Sequence, residues 1–211
     1  MTKKEIAEKA VEILEKTYPD ARCSLSYRKP YELLIATRLS AQCTDARVNL
    51  VTEELFEKYK TLEEFANADY EELSADIRPC GFFRTKAQNI IEMSKILLSK
   101  YNGEIPEKME DLTELPGVGR KTANLIRGDV FGKPAIVTDT HFIRITGRLG
   151  LTESKAPERV EKDLTALIPP EKSSDFCHRI VKFGRDICCS RKPKCSICPM
   201  TEICKTYNKN E

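Results

Sequence analysis

An all-α fold is predicted for this 211-residue chain by three observations. Apolar residues recur at helical spacing through most of its length. Helix-start signals stand in front of several of those stretches. No alternating stretch competes, and Ala135–Val137 is too short to count as a strand. The length allows one or two domains, and an apolar fraction of 40% is enough for a real core.

The elements follow in order. Thr2-x-x-Glu5 reads as a capping box ahead of Ile6, Ala10, Ile13 and Leu14. Pro30 suits the first turn of a second helix carrying Leu33, Leu34 and Leu39. Asp45 can start a third, running to about Tyr59. Thr61-x-x-Glu64 and Asp69-x-x-Glu72 are two further capping boxes, each opening a short helix. A long amphipathic stretch from about Arg84 to Lys100 stops at Asn102-Gly103, with Pro106 beyond. Helical patterns resume at 108–115, 119–131, 140–149, 157–167 and 173–188. There is no low-complexity linker and no strong repeat.

The net charge of +2 names no partner, but its distribution is uneven. Residues 176–211 carry eight Lys/Arg against three acids, +5, which leaves −3 for the rest. A polyanion partner and a solvated basic tail both fit that bias. The N-terminal Met-Thr-Lys-Lys-Glu has no apolar signal region, and no apolar run reaches membrane-spanning length. Nine cysteines without a secretion signal then read as reduced and intracellular, with a cytoplasmic location expected.

Four of those cysteines, Cys188, Cys195, Cys198 and Cys204, are spaced C-x6-C-x2-C-x5-C. Four thiolates that close together suit a [4Fe–4S] cluster or a tetrahedral zinc. Zinc ribbons bring two C-x2-C pairs, and here there is one. The wide, unequal outer spacings therefore favour the larger iron–sulfur cubane. A disulfide pair is the alternative, without support from a secreted context. Cys189 adjoins the first ligand and would shorten that spacing to x5 if it served instead.

The second signal is Leu115-Pro116-Gly117-Val118-Gly119-Arg120-Lys121-Thr122-Ala123-Asn124. One helix ends at Pro116, two glycines turn the chain, and another helix starts. Glycine lets the backbone approach a ligand closely. The new helix offers unpaired N–H groups and a positive dipole end, a seat for phosphate. This reads as a helix-hairpin-helix gripping a nucleic-acid backbone without reading its bases. An ordinary helix-turn-helix corner is the plain alternative, and Arg120-Lys121 directly behind the turn argues against it. Lys121 lies in the first turn, where the dipole and Arg120 both disfavour its charged form and so favour a nucleophilic amine. Eighteen residues on, Val137-Thr138-Asp139-Thr140-His141 places an acid at the start of another helix. Alone, Asp139 is an N-cap; with an amine and a phosphate seat, it suggests covalent chemistry on DNA.

Together these segments resemble the endonuclease III family of the helix-hairpin-helix DNA glycosylase superfamily. The hairpin resembles the family's, with its catalytic lysine at Lys121. Residues 137–141 resemble its catalytic aspartate loop, with Asp139 as the acid. The cysteine spacing resembles its [4Fe–4S] site. Leu39-Ser40-Ala41-Gln42-Cys43-Thr44-Asp45 resembles the segment carrying its DNA-probing glutamine, here Gln42. The likeness covers essentially the whole chain.

The resemblance implies two helical lobes flanking a DNA-binding cleft. One, 23–131, would hold six helices with the hairpin; the other, 1–22 with 132–211, would hold the cluster. Lys121 and Asp139 would face each other across the cleft. Hairpin residues Gly117, Val118, Gly119 and Arg120 would contact DNA, as would Arg191, Lys192 and Lys194 between the first two cluster ligands. A flipped-out nucleotide leaves a gap, which Gln42 would fill unless it is only a helix-end polar residue. The chain departs from the family at Pro79-Cys80-Gly81-Phe82-Phe83, where Phe82 replaces the expected leucine wedge. Phe82 either intercalates or packs in the core. His141 resembles a family residue and is counted with the DNA-contacting ones, with a structural polar role favoured over catalysis. The implied activity is a bifunctional glycosylase and abasic-site lyase excising oxidised pyrimidines. Its partner would be double-stranded DNA with damaged bases or abasic sites, bound by a monomer with no membrane. A monofunctional glycosylase and a non-enzymatic DNA-binding module are the rivals. Lys121 argues against the first, and its conjunction with Asp139 against the second.

Overall fold

Twelve helices, the last of them α12 (Lys205–Asn208), and four short 3-10 turns make up the regular structure of the computed structural model over its described residues, 1–208. Lys209 and Glu211, counted in the basic C-terminal stretch, lie outside the described residues. The chain divides into two units, one of Met1–Arg22 with Arg127–Glu211, the other of Cys23–Ile126.

In the first unit, α1 (Lys3–Thr17) opens with both halves of the Thr2–Glu5 capping box in place. Its Ala7, Ala10, Val11 and Leu14 face inward. They share a core with α9 (Thr140–Leu149), α10 (Pro157–Thr165) and α11 (Ser173–Asp186). Phe142 and Phe176 meet edge to face there, ring centres 6.0 Å apart. Met200 and Ile203, from the cysteine-bearing loop, bury into the same core. That burial fixes the loop to the helices between Cys198 and Cys204.

The second unit is built on α6 (Phe83–Tyr101), which packs against α2 (Pro30–Ser40), α4 (Leu62–Ala66) and α5 (Tyr70–Asp76). The third helix, α3 (Asp45–Lys58), lies on α2. Phe65 is fully buried among Tyr31, Phe56 and Tyr59. At its far end α6 stops where Asn102 and Gly103 both turn to positive φ. Two predicted starts differ in detail. Thr44, not Asp45, caps α3 by accepting from the Arg47 amide. Asp69 caps α5 through the Glu72 amide without a reciprocal bond from Glu72.

The short α7 (Met109–Glu114) and α8 (Arg120–Asp129) enclose the glycine turn. The boundary between units falls inside α8, at 126/127, where the sequence reading divides at 131/132. The last turn of α8 explains the difference. Gly128 packs so tightly on Ser174 that a Cβ would stand 2.5 Å from its hydroxyl. Asp129 is 2.7 Å from His178 Nε2 and accepts from Ser174 at 3.3 Å. Those contacts anchor the helix end to α11 before the helix is over.

Candidate functional site

The glycine turn sits on the surface of the second unit with its shape enforced from below. Gly117 adopts φ +77°, and a Cβ there would stand 2.6 Å from Arg38 Nε and 3.0 Å from Asn89 Oδ1. Only glycine satisfies both conditions. Gly119 is exposed, and nothing lies within 4 Å of where its Cβ would be. The Val118 side chain is buried and its amide donates to the Leu115 carbonyl, so neither is presented outward. The first bond of the α8 ladder runs from the Ala123 amide to the Gly119 carbonyl. The amides of Lys121 and Thr122, before it, have no acceptor in their own helix. Arg120 and Lys121 are exposed on this first turn. Gly117→Ala is expected to cost about 1–3 kcal/mol through a strained φ and the collision with Arg38. A denaturant midpoint unchanged from wild type would contradict that account of the turn.

Two loops of the same unit project unusual residues. Gln42 is exposed at φ +56°, and Phe82 at φ +47°. Non-glycine residues at positive φ are costly and cluster at functional positions. Phe82 is 66% exposed, so the reading that packs it in the core is set aside. Its neighbour Phe83 is held between the guanidiniums of Arg78 and Arg84, 5.9 and 5.8 Å from the ring centre. That holds one ring of the Phe-Phe pair down and leaves the other outward. The two loops adjoin. Cys80, beside the Phe82 loop, is pushed up to about 11 by burial, and further by the thiol of Cys43 next to Gln42.

In the first unit, Asp139 is the N-cap of α9, and Oδ1 accepts from the Phe142 amide at 2.7 Å. The loop before it is pinned by the Val137 amide donating to Cys177 Sγ at 3.2 Å. Cys177 is fully buried, and burial pushes its thiol up to about 12. His141 is half-buried with Nδ1 3.1 Å from Arg144 Nη2. Burial lowers its pKa, and Arg144 and Arg185 act in the same direction against Asp139. An imidazole accepting from a guanidinium is neutral, which suits a packing role. Gly184 accommodates the ring, since a Cβ there would lie 2.6 Å from Nδ1.

Cys188, Cys195, Cys198 and Cys204 all line one cavity of about 160 Å³, with Arg148 and Lys194 at its wall. Among the described residues, no three His, Cys, Asp or Glu side chains gather closely enough to hold a metal ion. Burial, and then its three sister thiols, raise the Cys198 pKa. Cys189 points elsewhere, its Sγ 3.4 Å from the Arg185 carbonyl. Arg148 went unnoticed in the sequence. It donates to Cys188 Sγ at 3.1 Å and to the carbonyls of Cys189 and Ser190 at 2.8 and 2.9 Å. Arg191, Lys192 and Lys194 are exposed on the same loop, with Lys192 at φ +51°. No helix among the described residues is long and apolar enough to cross a membrane.

Comparison with known proteins adds three findings. Residues 35–170 match the family described as HhH-GPD superfamily base excision DNA repair protein. An endonuclease III of Synechocystis sp. is 46% identical over 96% of this chain and 93% of its own. Two solved structures superpose on the whole chain at 45% identity and TM-score 0.93. One is a non-covalent endonuclease III–DNA complex, covered over 98% of its length. The other is a trapped endonuclease III–DNA covalent intermediate, an estranged-adenine complex, covered over 99%.

Proposed function

The chain belongs to the HhH-GPD superfamily of base excision DNA repair proteins, as an endonuclease III homologue, and from that premise we propose how its own residues carry the reaction. It is a bifunctional DNA glycosylase and abasic-site lyase acting on damaged double-stranded DNA. The observation that carries this is the full-length likeness to a trapped covalent endonuclease III–DNA intermediate. Its substrates are duplexes with oxidised pyrimidines, encountered in the cytoplasm.

The backbone at Gly117 and Gly119 and the open amides of α8 seat a phosphate, with Arg120 beside them. Val118 contributes through the turn's shape alone. Gln42 and Phe82 enter the duplex and occupy the space of the flipped nucleotide, Phe82 replacing an aliphatic wedge by an aromatic one. Nζ of Lys121 attacks the sugar C1′, and the C1′–N bond breaks with its electrons on the leaving base. Asp139 stabilises the positive charge developing on the sugar. Nζ gives up a proton, the C1′–O4′ bond opens with its electrons and a proton going to O4′, and the resulting Schiff base acidifies the C2′ proton. Its loss expels the 3′ phosphate, and water then releases Lys121. The direct test is incubation with a duplex bearing one oxidised pyrimidine. Free base and a strand cut on the 3′ side of the lesion are expected. Base release without a cut would reduce the activity to a monofunctional one.

Cys188, Cys195, Cys198 and Cys204 hold a [4Fe–4S] cluster. The donor set is four thiols around one cavity, with the Arg148 guanidinium 3.1 Å from Cys188 Sγ. A zinc ion would need all four sulfurs about 2.3 Å from one point. The single C-x2-C pair and the wide, unequal outer spacings of the four cysteines suit a cubane better. Bound there, a cluster would tie down the loop that carries Arg191, Lys192 and Lys194, whose exposed cations would meet phosphates and make binding salt-sensitive. Protein isolated without oxygen is expected to be brown, with about four irons and four sulfides per chain. Cys188→Ser should lose them and Cys189→Ser should keep them. Equal loss in both would overturn the ligand choice, and stoichiometric zinc without sulfide would overturn the cluster.

A further inference from the structure

Lys86 is a lysine inside the core of the second unit, 1% exposed, and nothing in the chemistry above uses it. Burying an ammonium is costly unless every proton finds an acceptor. Here all three do. Nζ donates to the carbonyls of Leu39 at 2.7 Å, Ala41 at 2.8 Å and Cys80 at 2.9 Å. Leu39 and Ala41 are the last turn and C-cap of α2, where carbonyls lack helical partners and the dipole end is negative. Cys80 ends the 3-10 turn Arg78–Cys80. Its carbonyl is two residues from Phe82, and that of Ala41 is one residue from Gln42.

We propose that Lys86 is the positioning residue that ties the Gln42 loop and the Phe82 loop to one point, so that the two DNA probes are held and moved together. Both probe residues sit at positive φ, a conformation that persists only where surrounding bonds over-determine it. Lys86 supplies those bonds from a rigid place. It lies in the first turn of α6, its own amide donates to the Phe82 carbonyl at 3.0 Å, and Ala87 and Ile90 beside it are fully buried. One residue therefore contacts the backbone before Gln42 and before Phe82 through its ammonium, and Phe82 itself through its amide. An arginine cannot replace it, because no single guanidinium nitrogen offers three converging donors. An apolar residue would leave three carbonyls unsatisfied.

The proposal rests on the reading of Gln42 and Phe82 as probes, and the test separates the two claims. Amide exchange is followed in peptides covering 39–44 and 79–84 of the full-length protein. Lys86→Met is expected to speed exchange in both segments together, by about tenfold or more, since local opening scales with the bonds that oppose it. Leu97→Ala, a core truncation at the far end of α6, should lower the global midpoint and leave both segments as in wild type. If Lys86→Met does not fold, Lys86→Arg keeps the charge and should show the same paired rise. Exchange that rises in only one segment, or in neither, overturns the clamp. Single-turnover excision supplies the second arm. Lys86→Met should be as slow as the Gln42→Ala/Phe82→Ala double variant, and combining all three should add little. Additive losses would contradict the clamp. If the double variant excises like wild type while exchange rises in both segments, the clamp stands and the probe reading falls.

Discussion

Lys121→Gln is expected to abolish strand cleavage, at least about a thousandfold, while binding to undamaged duplex stays close to wild type. Lys121 is exposed on the first turn of α8, so its loss removes no core contact and the fold should survive. Glutamine is close in size but offers no amine to form a Schiff base. The grip on DNA is expected to persist because it belongs to the backbone of the turn. That backbone is held by the positive φ of Gly117 and by Arg38 beneath it, neither of which touches this side chain's chemistry. Gel-shift binding beside a cleavage assay checks both halves. Loss of binding in step with loss of cleavage would mean that Lys121 is a phosphate contact and not the nucleophile.

Asp139→Asn should slow base excision by about a hundredfold, corresponding to the roughly 3 kcal/mol that a well-placed electrostatic stabiliser supplies. The structure makes asparagine the informative choice. Asp139 caps α9 through the Phe142 amide, and asparagine caps about as well as aspartate. The variant therefore keeps the helix start and removes only the charge. Asp139→Ala loses the cap as well, and should unfold more easily by about 1 kcal/mol. A pre-formed abasic site has already lost its base, so the lyase step there should suffer much less than excision. Equal losses in both assays would make the aspartate the proton acceptor of Lys121 rather than a stabiliser of the sugar cation.

Where local chemistry decides, the sequence was a good guide. The Thr2–Glu5 box, the Asn102-Gly103 stop and the glycine turn each depend on residues within a few positions of one another. What escaped depends on partners far along the chain. Lys86 bonds to carbonyls 47 and 45 residues before it, and Arg148 to Cys188 some 40 residues after it. A clue to Lys86 was present: it lies four residues before Ile90 on the stripe that also carries Met93 and Leu97, all buried. A lysine on an apolar stripe asks for buried acceptors, and periodicity alone does not say where they are. The direction of Phe82 was equally illegible. It follows from Phe83 being held by two arginines and from the left-handed φ of Phe82 itself. The division of the chain was displaced by one helical turn, because Gly128 and Asp129 choose their unit by packing on α11.

The central claim is that Lys121 forms a covalent bond with the sugar of damaged DNA. Borohydride reduction during incubation with an abasic-site duplex tests it most directly, with the adduct mapped by proteolysis and mass spectrometry. The account predicts one adduct per chain, carried on Lys121 and missing from folded Lys121→Gln. An adduct on another amine, or none from protein that still cuts the strand, would contradict it.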